Sequence, residues 1–149
     1  MRLLFIGDIV GRAGREILLE RLPQLRRDWK LDFVVVNGEN ASSGVGLTPD
    51  HARILLQAGA DCITLGDHAF DQKDMLAFIE TEPRILRPVN FSKVAPGKEW
   101  AAAIRPMTKN KEKKYFICCI KGSEKIKLMH TNKPAINHWN ERARNICWY

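Results

Sequence analysis

Five polar residues in the first seventy positions are of the types that bind metal ions or transfer protons. They are Asp8, the pair Glu39–Asn40 and the pair Asp67–His68, and each group follows a short apolar run. Carboxylates, an amide and an imidazole together suit a pair of hard or borderline divalent ions such as Mn or Fe. Each group alone has an ordinary explanation as a turn, a cap or an ion pair. Their equivalent positions after successive apolar runs favour a metal site.

The apolar runs predict three buried parallel strands, Leu3–Ile6, Phe33–Asn37 and Cys62–Leu65. Each is short and rich in branched residues, as the central strands of an α/β sheet are. Helical patterns lie between them, so we expect a β-α-β-α-β order with right-handed crossovers. Ligands bind beyond the carboxyl ends of the strands in such sheets, which is where the five polar residues fall.

Three helices are expected to cover the sheet. The first contains Arg15–Leu22 and is expected to break at Pro23, which then starts a further turn. The second begins at the N-cap Thr48, has Pro49 at its first position, and runs towards Ala58. The third is expected to be capped by Asp71 and to span residues 72–79.

Length and composition predict one globular domain over residues 1–149. The chain is 45% hydrophobic, but no run of eighteen apolar residues predicts a membrane span. The apolar stretch at the N-terminus is too short for a secretion signal, so a cytoplasmic location is expected. The four cysteines show no C-x-x-C spacing and predict neither a zinc ribbon nor a disulfide framework.

Charge is divided unevenly between the two parts of the chain. Residues 1–100 hold 13 Lys+Arg and 14 Asp+Glu, a net charge of −1, whereas residues 101–149 hold 11 and 3, a net charge of +8. The alternation of predicted strands and helices is also lost after Glu99. A basic turn is expected over Met107–Lys114 and one strand over Tyr115–Ile120, with no sustained period over Lys121–Tyr149.

Four longer segments carry a resemblance to a known family. They are LFIGDIVG at 4–11, VNGENA at 36–41, TLGDH at 64–68 and EPRILRP at 82–88. Through them, residues 1 to about 100 resemble the YmdB-type metallophosphoesterases, which belong to the calcineurin-like phosphoesterases. The resemblance implies the N-terminal half of a four-layer αββα fold, two metal ions, and hydrolysis of phosphodiesters that include 2′,3′-cyclic nucleotides.

The resemblance also implies roles for the five polar residues. Asp8 would bind the first metal with Asn40 beside it, Glu39 would bridge both ions, and Asp67 would bind the second. His68 would protonate the leaving oxygen, which an imidazole with a pKa of about 6.5 can do at neutral pH. The family usually has Asn at position 67, so Asp67 is expected to hold its metal more tightly and to weaken its Lewis acidity.

The family's second half is expected to be missing. Its three histidine ligands have no counterpart here, because His130 and His138 lie in segments unlike the family's motifs, and His51 is expected to be structural. A frameshift near Lys114 would produce the basic, Asn- and Lys-rich tail, and the DNA read in other frames tests this. We therefore expect a truncated domain with weak or absent activity.

Two other functions and the oligomeric state remain open. A basic nucleic-acid-binding module could use Lys109–Lys127, with Tyr115, Phe116, Trp139 and Trp148 stacking on bases. The absence of a binding motif counts against it. The chain could also be a non-catalytic remnant. The resemblance further suggests a homo-oligomer and gives no choice between Fe and Mn.

Overall fold

A parallel four-stranded sheet forms the first part of the fold. The computed structural model describes residues 2–106, 113–121 and 125–131. The sheet has the order β1 (Leu3–Ile6), β2 (Phe33–Asn37), β3 (Cys62–Thr64) and β4 (Ile85–Leu86), all parallel. The predicted α/β fold with a parallel sheet is therefore confirmed, and β4 is an addition to it.

Helix α1 (Gly11–Asp28) is longer than the sequence indicated. It continues through Pro23, so the predicted break at this residue is wrong. A proline inside a helix removes one backbone hydrogen bond. Packing on both sides offsets that loss, because Leu22 is buried immediately before Pro23 and Arg26 forms an ion pair with Asp61 after it.

Helix α2 (Pro49–Ala58) begins and ends as predicted. The Thr48 hydroxyl accepts a hydrogen bond from the backbone N–H of His51 at 3.3 Å, and Pro49 occupies the first turn. Gly59 ends the helix in the left-handed conformation at φ 117°, which glycine adopts without steric cost.

The predicted cap of the third helix is wrong. A 3₁₀ turn, Asp67–Phe70, comes directly after β3, and α3 (Lys73–Thr81) begins after it with Gln72 as its N-cap. Asp71 ends the 3₁₀ turn instead, and its carboxylate is hydrogen-bonded to His68. The side chain that the sequence assigned to a helix cap therefore belongs to the candidate site.

A second, antiparallel sheet follows residue 99. Its order is β5 (Trp100–Pro106), β6 (Lys113–Lys121) and β7 (Lys125–Thr131). The strand predicted over Tyr115–Ile120 is confirmed inside β6. The expected lack of pattern after Lys121 is wrong for β7, and Lys113 and Lys114 lie in a strand rather than in the predicted turn. Residues 107–112 and 122–124, which are all of the predicted nucleic-acid segment outside β6 and β7 together with the start of the predicted turn, lie outside the described residues.

The hydrophobic core lies between the parallel sheet and its helices. Val34, Val36 and Ile63 are fully buried and pack with Leu22 of α1 and Leu55 of α2. Among the described residues no helix is long and apolar enough to cross a membrane. The candidate site lies at one edge of this core, at the carboxyl ends of the strands.

Candidate functional site

Asp8 and Asn40 meet at the carboxyl ends of β1 and β2. The Asn40 amide donates a hydrogen bond to the Asp8 carboxylate at 2.8 Å. The Asn40 backbone carbonyl accepts from the N–H groups of Gly11 at 2.9 Å and Gly44 at 3.1 Å. The two loops that carry these side chains are thus joined through one residue, as expected from their adjacent strands.

Glu39 is the most constrained of the five side chains. The Asn37 amide donates to Glu39 Oε1 at 3.3 Å, and the Glu39 N–H donates to Asn37 Oδ1 at 3.4 Å. The other carboxylate oxygen, Oε2, is buried and has no hydrogen-bond partner. An unpartnered buried oxygen is costly, so this atom indicates that a donor or cation belongs beside it.

Gly66 provides the space that Glu39 occupies. A Cβ added at Gly66 would lie 1.6 Å from Glu39 Oε2 and 2.4 Å from its carboxyl carbon. Only glycine at this position lets the Glu39 carboxylate reach the end of β3. Gly7, Gly38 and Gly66 each directly precede a candidate site residue, yet none of them has a positive φ. Glycine is required at position 66 because the Glu39 carboxylate occupies the space that a side chain would fill.

Burial is the main cause that raises the pKa of Glu39 above its ordinary value. The Asn37 amide lowers this pKa, whereas the adjacent Asp67 carboxyl and, to a smaller extent, the charge of Asp8 raise it. Glu39 is therefore close enough to the acidic side chains of the other two strand ends to be affected by both. Like charges held together favour protonation of one of them, or a cation between them.

His68 is held by the carboxylate of Asp71. His68 Nδ1 and Asp71 Oδ2 are 2.6 Å apart, and His68 Nε2 lies 4.0 Å from Asp67 Oδ2. The hydrogen bond to Asp71 is the main cause that raises the pKa of His68, and the charges of Asp67, Asp71 and Glu39 add to it. With Nδ1 bonded to Asp71, the Nε2 proton is directed towards the acidic groups.

The side chains of Asp8, Glu39, Asn40 and Asp67 are of metal-binding types, but they are not gathered around one point. In the part of the chain that the structure describes, no three His, Cys, Asp or Glu side chains are grouped as a complete metal site. Asp8 instead accepts a hydrogen bond from the Asn40 amide, while the Glu39 and Asp67 carboxyl groups lie next to each other. The donors present do fit divalent ions, since they are carboxylate and amide oxygens and one buried carboxylate oxygen has no partner.

Of the remaining histidines, His51 is the one whose side chain the structure describes, and it does not join this group. His51 Nδ1 is 2.6 Å from Ser42 Oγ, which also accepts from the Thr48 N–H at 2.9 Å, so His51 fixes the loop to α2. This is the structural role predicted for it. His130 lies in β7, where only the backbone is described, and His138 lies outside the described residues.

Two residues of the site were missed from the sequence. Asn37 binds both the backbone and the carboxylate of Glu39, and Asp71 binds His68. A signal for Asp71 existed, because it follows His68 by three residues, a spacing at which side chains on one helical turn meet. Asn37 gave no such signal, since an asparagine before glycine usually indicates a turn.

Comparison with known proteins identifies the family. The profile of the family described as YmdB-like protein matches residues 4–144. The chain belongs to this family. The match continues well past residue 100, where the recognisable motifs end, and includes the segment that forms the second sheet.

The curated and solved relatives agree with this assignment. The 2′,3′-cyclic-nucleotide 2′-phosphodiesterase of Bacillus subtilis is 47% identical over 98 residues, which are 66% of this chain and 37% of that protein. A crystal structure of a novel phosphatase from Mycoplasma pneumoniae matches 97% of this chain and 50% of its own, with TM-score 0.68 and 26% identity. A hypothetical protein from Thermus thermophilus matches 76% of this chain and 42% of its own, with TM-score 0.65 and 37% identity. The chain thus spans half or less of the length of these relatives.

Proposed function

We propose that this chain carries part of a metallophosphoesterase site that hydrolyses phosphodiesters with the help of two divalent metal ions, Mn or Fe. The observation that supports it most directly is the buried, unpartnered Oε2 of Glu39 between the ends of β2 and β3. Natural proteins rarely leave such an atom without a partner. A cation would supply one and would also relieve the repulsion between the Glu39 and Asp67 carboxylates.

Asp8 and Asn40 would hold one ion and Asp67 the other, with Glu39 between them. When bound, such a pair of ions clamps a phosphate, lowers the pKa of a water molecule and stabilises the developing charge. Glu39 suits the shared position because its two oxygens differ, one bonded to Asn37 and one unpartnered.

His68 would act as the general acid for the leaving group. Its raised pKa keeps a larger fraction of the imidazole protonated at neutral pH. The bond from Nδ1 to Asp71 fixes the ring orientation, so the proton on Nε2 is the one available for transfer. Asp71 therefore serves as a positioning residue for this acid.

The proposed substrates are phosphodiesters, with 2′,3′-cyclic nucleotides as the specific class. Support comes from the name of the Bacillus subtilis relative, which is similar to this chain over 98 residues. We expect weak activity at most, because the described residues supply only part of a ligand set. The Asp67 carboxylate, where the family usually has an amide, would strengthen binding of one ion and reduce its Lewis acidity.

The test is Mn²⁺ binding by the full chain, measured by titration calorimetry alongside hydrolysis of bis-p-nitrophenyl phosphate. We expect Glu39→Gln to weaken Mn²⁺ binding at least tenfold, and Glu20→Gln, at an exposed position on α1, to leave it unchanged. Any turnover should disappear in His68→Ala. Absence of Mn²⁺ binding, or equal binding by the two glutamate variants, would refute the proposal.

A separate variant tests the aspartate at position 67. Asp67→Asn should lower Mn²⁺ affinity and, where turnover is measurable, raise the rate per bound metal. Unchanged affinity and rate would show that Asp67 is not a ligand.

A further inference from the structure

Two exposed valines lie beside the candidate site. Val10 follows Asp8 by two residues and is 54% exposed, and Val45 lies in the loop after β2 and is 43% exposed. Isolated apolar side chains on a surface are ordinary. These two differ because the loop between β2 and α2 brings them to the same edge as the candidate ligands.

The loop Ser42–Gly46 approaches Val10 on one side. Three of its residues have positive φ: Ser43 at 58°, Gly44 at 83° and Gly46 at 75°. A Cβ built at Gly44 would be 4.0 Å from Val10 Cγ1, an ordinary contact distance. The loop backbone therefore passes next to the Val10 side chain, and Val45 follows immediately.

The same loop reaches the His68 turn on its other side. The Gln72 amide donates to the Val45 carbonyl at 2.6 Å. A Cβ at Gly46 would be 3.2 Å from the His68 carbonyl oxygen and 2.9 Å from Gln72 Cγ, so the loop fits closely against this turn. The loop thus connects the Asp8 side of the site with the His68 side, and Val45 is held there by its backbone.

We propose that Val10 and Val45 are specificity-determining residues that bind the organic substituent of the phosphodiester, such as a nucleobase. This inference rests on the proposed function. Metal binding and proton transfer are assigned to Asp8, Glu39, Asn40, Asp67 and His68, all polar, so contact with an apolar ring needs another surface. Covering exposed valine methyl groups with a flat ring removes apolar area from water and favours binding.

The experiment compares two ligands that share a phosphate and differ in the ring. Adenosine 3′-monophosphate and glycerol phosphate are titrated into the Mn²⁺-loaded full chain and followed by calorimetry, a readout that needs no turnover. We expect the nucleotide to bind more tightly than glycerol phosphate. Val10→Ser and Val45→Ser should each weaken nucleotide binding about fivefold, equivalent to about 1 kcal/mol, without changing glycerol phosphate binding.

Val94→Ser is the matched control. Val94 is 93% exposed in the segment before β5, so its substitution removes the same methyl groups from a surface outside the described site. It should bind both ligands like the unmodified chain. Equal affinity for the two ligands, or the same loss in Val94→Ser, would overturn the valine assignment alone. Failure of both phosphates to bind would overturn the proposed function and the inference with it.

Discussion

Replacing Gly66 with alanine should displace Glu39 without changing any candidate ligand. The added Cβ would lie 1.6 Å from Glu39 Oε2, whereas an ordinary contact begins at 3.4 Å. The carboxylate must therefore move by about 1.8 Å, the difference between these two distances. The φ of Gly66 is −125°, outside the left-handed region, and the overlap with Glu39 is an effect of side-chain volume.

A shift of this size is large compared with the tolerance of a metal site. Ligand distances in such sites are held to about ±0.2 Å, so Glu39 would no longer serve as a shared ligand. Loss of the residues that orient metal ligands typically costs about 10–100-fold in affinity. We expect at least this loss of Mn²⁺ affinity in Gly66→Ala, measured by titration calorimetry on protein whose fold is verified by circular dichroism.

Gly7→Ala is the matched control for this prediction. Gly7 also ends a strand directly before a candidate ligand, Asp8, but a Cβ there would have no atom within 4 Å. Its Mn²⁺ affinity should equal that of the unmodified chain. A folded Gly66→Ala variant that binds Mn²⁺ with unchanged affinity would refute the assignment of Glu39 as a ligand.

Three further predictions concern His68, the Arg26 ion pair and His51. Asp71→Asn should lower the pKa of His68, followed by NMR titration of the ring protons, because the hydrogen bond to Asp71 is the main cause of its rise. Arg26→Ala should destabilise the fold by about 3–5 kcal/mol in urea unfolding, because it removes a cation from the buried Asp61 carboxylate. Burial lowers the pKa of His51 in the folded chain, so its contribution to stability should be complete above pH 6.5 and should decline as the pH falls below that value.

An unchanged His68 titration in Asp71→Asn would show that the contact between His68 and Asp71 does not persist in solution. Arg21→Ala removes an ion pair at the surface and should lower the free energy of unfolding by less than about 1 kcal/mol. If Arg21→Ala and Arg26→Ala lowered it equally, Arg26 would have no special role. His51→Gln should flatten the decline in stability below pH 6.5, and an identical decline in both proteins would assign it to other groups.

The sequence predicted the site-bearing part of the fold well because its signals are local and agree with one another. Buried strands such as Phe33–Asn37 read as continuous apolar runs, and Thr48, Pro49 and Gly59 mark a helix by their own conformational preferences. The failures came where distant contacts override such preferences. Pro23 stays inside α1 because residues on both sides of it pack against the rest of the fold.

The site was predictable as a set of residues and less so as a geometry. Strand order brings Asp8 to Asn40 and Glu39 to Asp67, as expected from the carboxyl ends of parallel strands. The Asp71–His68 contact depends on the 3₁₀ turn, and the buried oxygen of Glu39 depends on the absent side chain of Gly66. The spacing of three residues between His68 and Asp71 was the one signal in the sequence for the first contact, and the second gave none. The single-domain assignment and the frameshift account of the tail stay predictions, and sequencing of the downstream DNA tests the frameshift.

The double hydrogen bond at the Asn40 carbonyl has a consequence for how this protein can evolve. Both bonds are made by main-chain atoms: the Gly11 N–H joins the first loop to Asn40 O, and the Gly44 N–H closes the second loop on the same oxygen. Only proline removes a backbone N–H, so substitutions at positions next to Gly11 and Gly44 leave both donors in place. The neighbouring side chain of Val45 is then free to vary while its position is kept. Given the role proposed for Val45, such an arrangement would let selection exchange one substituent of the substrate for another without rebuilding the loops that carry the candidate ligands.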